Sequence, residues 1–148
     1  MAVTMEQVRA YLDADEVNYS EAARLGSAAL PHLQRLAQSP DVMLASKATY
    51  LASVIHGDLT PQILAEAGSR PEPAIRVAAA SGLQHLAEQH AEPLVERLLN
   101  DDDVGVRKMA VRSAAALASP AMRSHLERVA EGDPEPAIRD LATRAIQR

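Results

Sequence analysis

The chain has 148 residues, enough for one domain with a continuous apolar core, and its lack of cysteine excludes disulfides, thiolate metal ligands and a cysteine nucleophile. It contains no run of about eighteen apolar residues that could cross a bilayer, so we predict no membrane segment and a cytoplasmic location. The formal net charge of -5 makes nucleic acid an unlikely partner, because proteins that hold duplexes carry a broad basic face.

Residues 1–27 are predicted to form a short helical hairpin that caps the amino-terminal end of the fold. Thr4 and Gln7 have the spacing of a capping box, which predicts a helix from there to about Asp13. Val17 and Leu25 repeat the spacing of Ile75 and Leu83 farther along the chain, which places Asn18 in the register of Arg76. We expect a degenerate hairpin here because the end of a helical stack must present a polar face to water.

An internal repeat of about 31 residues organises the rest of the chain. The hexapeptide 71–76, Pro-Glu-Pro-Ala-Ile-Arg, recurs unchanged at 134–139, and Arg107 lies 31 positions after Arg76 and 32 before Arg139. The same interval relates small and apolar residues in two further series: Ala48, Ala79, Ala110 and Ala142, and Leu33, Leu64, Val95 and Leu126. Spacings of three, four and seven within each unit predict two amphipathic helices. We therefore predict a single domain, 1–148, with helical hairpins at about 28–57, 58–89, 90–118 and 119–148.

Proline and short acidic residues separate the predicted helices. First helices are expected to begin near Pro31, Thr60-Pro61, Glu92-Pro93 and Ser119-Pro120, because proline is tolerated in a first helical turn. Second helices are expected to begin after the acidic residues Asp41, Glu72, Asp103 and Glu135. A carboxylate there faces the positive end of the helix dipole, which stabilises a helix by about 0.3 to 1 kcal/mol.

The units resemble HEAT repeats of the short bacterial variety found in lyase-type proteins. The family pattern is roughly Asp-Pro-x-x-x-Val-Arg-x-x-Ala, and residues 133–142 carry it completely. The third unit lacks the proline, the second has Arg70 in place of Asp, and the first has Ser39 and Ala45 at the Asp and Arg positions. The resemblance implies an all-α, right-handed α-solenoid of about four hairpins plus the amino-terminal one.

The arginines and aspartates of this pattern are predicted to have a structural role. Each arginine follows a carboxylate by four residues and can reach loop oxygens of an adjacent unit. The expected set, called here the arginine ladder, consists of Arg76, Asp101, Arg107, Asp133 and Arg139. The departures at Arg70 and Ala45 predict that it is interrupted at the amino-terminal end.

The face of the second helices opposite their buried stripe is the predicted binding site. At 100° per residue, burying Ile75 and Ala79 places Ser81 and Gln84 on the other side of the helix, which lines the concave surface in a HEAT-like stack. The second-helix surface so defined carries Tyr50, Ser81, Gln84, Lys108, Arg112 and Arg144. Tyr50 is its expected aromatic anchor, and Lys108, Arg112 and Arg144 form a cationic cluster. The alternative interpretation is that these are ordinary solvated positions.

No catalytic, cofactor or metal site is predicted. His85 and His90 match no zinc motif, and the aspartates 101–103 lack the spaced ligands of a calcium loop. We therefore predict a non-catalytic scaffold that binds a protein partner, possibly through an acidic segment of that partner, and no small-molecule substrate is evident. The resemblance leaves two alternatives open: an accessory enzyme subunit like the phycobilin-lyase chaperones, or a DNA-binding protein like the HEAT-like glycosylases.

Overall fold

The computed structural model describes residues 2–147, which form helices joined by short loops and contain no β-strand. Its α-helices are α1 (Met5–Leu12), α2 (Tyr19–Ala22), α3 (Leu30–Leu36), α4 (Val42–Val54), α5 (Thr60–Ala67), α6 (Pro73–Gly82), α7 (Glu88–Leu99), α8 (Val104–Leu117), α9 (Pro120–Gly132) and α10 (Pro136–Ile146). Short 3-10 segments cover Ala23–Leu25, Ser27–Ala29 and Leu83–His85. None of the described helices has the length and apolar character needed to cross a membrane.

The helices form two layers. The hairpins α3/α4, α5/α6, α7/α8 and α9/α10 stack in sequence, so α3, α5, α7 and α9 form one layer and α4, α6, α8 and α10 form the other. The shortened helices α1 and α2 pack on the open side of α3 and α4. The predicted all-α solenoid with an amino-terminal cap is confirmed.

The apolar core lies between the two layers. Leu33, Leu64 and Val95 of the first helices are fully buried, as are Ala79 and Ala110 of the second helices. Because these positions share the interval of about 31 residues, each hairpin presents the same apolar stripe to its neighbours.

The second helices approach one another more closely than the first helices do. A Cβ atom on Gly82 of α6 would lie 2.5 Å from the Cβ of Ser53 on α4. Between α6 and α8, the buried Ser113 hydroxyl donates to the Ala80 carbonyl across 2.6 Å. Small residues at these contacts shorten the distance between neighbouring helices. The second helices α4, α6 and α8 therefore form a closely packed layer.

The second helices begin directly after Asp41, Glu72, Asp103 and Glu135, as predicted, but two of these four side chains, Glu72 and Glu135, make no capping hydrogen bond. Thr4 and Gln7 form both bonds of a capping box, and Asp41 and Asp103 accept hydrogen bonds from the amides of Leu44 and Val106 at 3.1 and 3.0 Å. Glu72 occupies the cap position of α6 but makes no capping bond; its carboxylate pairs with Arg70 instead.

Two predicted positions are wrong. Helix α7 begins at Glu88, one turn before Glu92-Pro93, because the Ala87 carbonyl accepts from the amides of His90 and Ala91 and nucleates the helix earlier. Pro93 then lies inside α7. It has no amide hydrogen to donate to the Gln89 carbonyl, and it is tolerated because Gln89 is exposed to water.

Asn18 does not occupy the register of Arg76. Its side chain accepts a hydrogen bond from the Glu21 amide at 3.1 Å and so caps α2. Helix α2 starts at the next residue and runs for only four residues, which is why the spacing of Val17 and Leu25 misled the alignment.

Candidate functional site

Arg76 joins two successive hairpins through N–H groups on two edges of its guanidinium. Its Nε and Nη2 atoms donate to the two carboxylate oxygens of Asp101 at 2.9 and 3.0 Å, a bidentate arrangement. Its Nη1 atom donates to the carbonyls of Arg70 and Pro71 at 2.9 and 2.8 Å. The side chain thus ties the loop before α6 to the loop before α8.

Arg107 repeats this geometry one unit later. It donates to Asp133 at 3.0 and 3.4 Å and to the carbonyls of Asp101 and Asp102 at 3.0 and 3.3 Å. This pair is the more buried one, with side-chain exposures of 11% for Arg107 and 4% for Asp133. Arg139 donates to the Asp133 carbonyl at 2.7 Å.

Before Arg76, the link between successive hairpins is made by Arg70, which reaches back to the preceding hairpin. Arg70 stands where the later units have aspartate, and it donates backward to the carbonyls of Ala37 and Ser39 at 2.9 and 3.2 Å. Those carbonyls lie in the loop before α4, whose own arginine position is occupied by Ala45. The predicted interruption is therefore filled by a cation that reaches from the second unit into the first.

The contact between Arg76 and Asp101 favours the ionised form of both side chains. Burial acts to raise the pKa of Asp101, but hydrogen bonds from Arg76 and the Asp103 amide, with the charges of Arg76 and Arg107, hold it below its usual value. The hydrogen bond to Asp101 raises the pKa of Arg76. These groups are occupied with one another, so we assign them to the stability of the stack.

The predicted residues of the second-helix surface are not equivalent to one another. Ser81 donates to the Val77 carbonyl at 2.9 Å and Gln84 donates to the Ser81 carbonyl at 3.0 Å, so both are engaged with the backbone of α6. Lys108 and Arg112 project from α8, and Arg144 projects from α10; all three are exposed.

The cationic cluster differs from nearly all other basic groups of the protein. Across residues 2–147, four lysine or arginine side chains make neither an ion pair nor a hydrogen bond, and three of these are Lys108, Arg112 and Arg144. The fourth is Arg35, on α3 in the opposite layer. The second-helix surface thus presents three cations whose hydrogen-bonding capacity is open.

Tyr50 belongs to a group of rings, called here the ring cluster, made of Tyr19, Tyr50 and His85. The Tyr19 and Tyr50 rings pack edge to face with centroids 4.9 Å apart, and the His85 ring lies 6.0 Å from Tyr50. The Tyr50 hydroxyl is 3.4 Å from His85 Nε2. Tyr19 was missed as a surface aromatic, although it precedes Tyr50 by one repeat interval of 31 residues.

Burial favours the uncharged forms of two members of the ring cluster, Tyr19 and His85. Burial, with the charge of His56, lowers the pKa of His85 below its usual value. Burial, with the neighbouring Tyr50, raises the pKa of Tyr19. The second-helix surface is therefore neutral at its α4 end and cationic at its α8 and α10 end.

Comparison with known proteins identifies the repeat. A sequence model of HEAT repeats matches residues 60–147, which is more than half of the chain. The chain belongs to the HEAT-repeat family. No curated protein matches its sequence.

Nearly the whole length of the present chain matches the fold of a chain in a solved structure. A chain in the complex of CpcE and CpcF of phycocyanin lyase from Nostoc sp. PCC7120 superimposes with a TM-score of 0.79. The match covers 95% of this chain and 96% of that chain, at 17% sequence identity. At that identity the likeness establishes a shared HEAT fold and nothing more.

This HEAT-repeat chain also has cavities outside the second-helix surface, and one of them is lined by residues of the arginine ladder. This cavity, of about 500 Å³, lies between the loops before α8 and α10 and is lined by Arg107, Asp133 and His125 among others. His125 is itself engaged with Arg128 and lies 3.5 Å from Glu92. His85 and His90 line a smaller cavity, and in residues 2–147 no three His, Cys, Asp or Glu side chains are arranged to hold a metal ion.

Proposed function

We propose that the protein is a non-catalytic scaffold that binds an acidic segment of a protein partner through its second-helix surface. The observation that carries this proposal is the cationic cluster: Lys108, Arg112 and Arg144 are exposed and unpaired among the described residues, while ten other basic side chains are held by carboxylates, carbonyls or a histidine. Arginine is also one of the residue types that contribute most to binding energy at protein interfaces.

The charge of the surface favours a carboxylate-bearing protein segment over nucleic acid. Three phosphate contacts would give a salt dependence with a slope of about -2.7, too small for strong non-specific binding to a duplex. The ring cluster adds no positive charge, and the rest of the chain is acidic overall. A short acidic segment can reach the cationic cluster without bringing a long polyanion against the acidic remainder.

A matched pair of charge reversals tests this proposal. The probe is a fluorescent ten-residue peptide rich in glutamate, titrated with the protein and followed by anisotropy at low and at high salt. We expect Arg112→Glu to weaken binding by about tenfold or more, because it replaces attraction with repulsion at the centre of the surface. The control is Arg35→Glu, an equally unpaired arginine in the other layer.

Two outcomes would contradict the proposal. Equal losses from Arg112→Glu and Arg35→Glu would mean that only the overall charge matters. Tighter binding of a single-stranded oligonucleotide of equal charge would favour nucleic acid as the partner. Circular dichroism of each variant checks that the helices are intact.

A second candidate function is suggested by the structural neighbour. That chain comes from a complex of two phycocyanin lyase subunits. We propose as an alternative that the present chain assists an enzyme as an accessory subunit, with the partner enzyme bound at the same surface. Co-purification of an enzyme together with its chromophore substrate would favour this alternative over a simple adaptor.

We also propose that residues 1–148 act as one domain. Two groups of buried apolar residues make up the core, one toward each end of the stack. Helix α4 contributes Ala45 to one group and Ala48 to the other. This shared helix supports continuous packing from the amino-terminal cap to α10.

A further inference from the structure

The second-helix surface has a direction. The ring cluster lies on α2, α4 and the segment after α6, and the cationic cluster lies on α8 and α10. Ser81 and Gln84, between them, are small or engaged with the backbone of α6. A partner that crosses the layer from α4 to α10 therefore meets neutral rings first and unpaired cations last.

The spacing of the helices sets the length of such a partner. Packed helix axes are about 8 to 10 Å apart, so Tyr50 and Arg144, three helices apart, are separated by about 25 to 30 Å. An extended chain covers about 3.3 Å per residue, so eight or nine residues span this distance. Arg112 and Arg144, on adjacent second helices, match carboxylates about three residues apart.

The ring cluster is suited to bind an apolar ring. Tyr19, Tyr50 and His85 are each half-buried, so their packing holds them in place while part of each ring stays open to solvent. Rings prefer edge-to-face or offset contacts, and the pair Tyr19–Tyr50 already has this geometry at 75°. A further aromatic side chain can extend the same arrangement with little loss of side-chain freedom in the protein.

We propose that the second-helix surface binds an extended peptide segment of about eight to ten residues, with an aromatic side chain on the ring cluster and two carboxylates on Arg112 and Arg144. This inference rests on the proposed function, because it assumes that the same surface binds an acidic protein segment. It adds the order and the sequence separation of the residues that the surface binds. In the bound peptide the aromatic residue lies about five or six positions from the nearer carboxylate.

Synthetic peptides of equal length and charge test the order. One carries a tryptophan six positions from the first of two glutamates three residues apart, a second has that tryptophan replaced by alanine, and a third has it moved between the glutamates. Each is made in both chain directions. We expect the first peptide, in one direction, to bind about tenfold more tightly than the other two, and Tyr50→Ala in the protein to remove this difference.

The result that overturns the inference is distinct from failure of the proposed function. If all three peptides bind equally while Arg112→Glu still weakens each of them, the cations bind acidic segments but the rings contribute nothing. If Arg112→Glu changes none of the affinities, the proposed function fails as well. Should Tyr50→Ala unfold the protein, His85→Ala gives the same comparison, because the His85 ring packs against Tyr50 whereas Tyr50 packs against both other rings of the cluster.

Discussion

At the level of single residues, the arginines of this protein have two different roles. Arg76 and Arg107 are largely buried, bidentate to aspartates of the next hairpin and bonded to carbonyls of their own loop. Arg112 and Arg144 are exposed and unpaired within residues 2–147. A buried charge is tolerated only when it is paired. Removing Arg76 or Arg107 should therefore lower the stability of the protein, whereas removing Arg112 or Arg144 should not.

We therefore predict that Arg107→Ala destabilises the protein by about 3 kcal/mol, because it leaves the buried Asp133 carboxylate without its cation. For a chain of this size that corresponds to a melting temperature lower by roughly 6 to 12 °C, measured by calorimetry or circular dichroism. Arg112→Ala, on the same helix, is the matched control and should change stability by less than about 0.5 kcal/mol. Similar melting temperatures for the two variants would refute the structural role.

Much of the residue-level arrangement could be predicted from the sequence. The repeat interval pointed to Arg76 with Asp101 and Arg107 with Asp133, because a recurring contact requires recurring side chains. Arg139 donates instead to the Asp133 carbonyl of its own hairpin. Arg70 could not be predicted, since its backward reach to Ala37 and Ser39 depends on the absence of an arginine one unit earlier and on the geometry of the loop. The ring cluster required the three-dimensional arrangement, because His85 and Tyr50 are 35 positions apart.

At the level of helices, the second-helix layer depends on small side chains. Gly82 of α6 faces Ser53 of α4, and Ser53 is itself buried with its hydroxyl bonded to the Tyr50 carbonyl at 2.6 Å. Alanine normally stabilises a helix relative to glycine by about 1 kcal/mol. Here the extra methyl group would lie inside the neighbouring helix.

Gly82→Ala should therefore lower the free energy of unfolding by up to about 2 kcal/mol, which is an overpacking cost of about 1 to 3 kcal/mol less a gain in helix propensity of about 1 kcal/mol. Gly132→Ala, at the end of α9 where an added Cβ meets nothing within 4 Å, should be neutral or stabilising. Urea denaturation of both variants, together with the double variant Gly82→Ala/Ser53→Gly, measures the effect. If the double variant failed to recover stability, the close approach of α4 and α6 would not be its cause.

The positions of the helices were predictable where proline and an apolar stripe agree, and less so elsewhere. Pro61 and Pro120 lie in the first turns of α5 and α9, as expected. Pro93 lies inside α7 because the helix begins earlier, where the Ala87 carbonyl accepts hydrogen bonds from the amides of His90 and Ala91. A proline in the first turn and a proline tolerated on an exposed face look the same in a single sequence.

At the level of the whole molecule, stability is transmitted from hairpin to hairpin. Helices α6 and α8 each have a second helix on both sides, whereas α10 packs against α8 and α9 among the described elements. In repeat proteins the stability of a unit depends on its interfaces with its neighbours, so units with one interface open more readily.

Amide hydrogen exchange should follow this order. We expect the amides of α6 and α8 to exchange slowest and those of α2 and α10 to exchange roughly tenfold faster or more, measured by mass spectrometry or NMR under native conditions. Equal protection across α8 and α10 would indicate that the stack opens only as a whole.

The reversed contact of Arg70 fixes the order in which the hairpins can be arranged. A duplicated α7/α8 unit would bring an aspartate to the preceding Arg107, and the stack could lengthen there without conflict. A duplicated α5/α6 unit would instead place a second Arg70 opposite Arg76, so two guanidinium groups would meet where one carboxylate is needed. Growth of this architecture by copying of a unit is thus permitted toward the carboxyl-terminal end and disfavoured at its second hairpin.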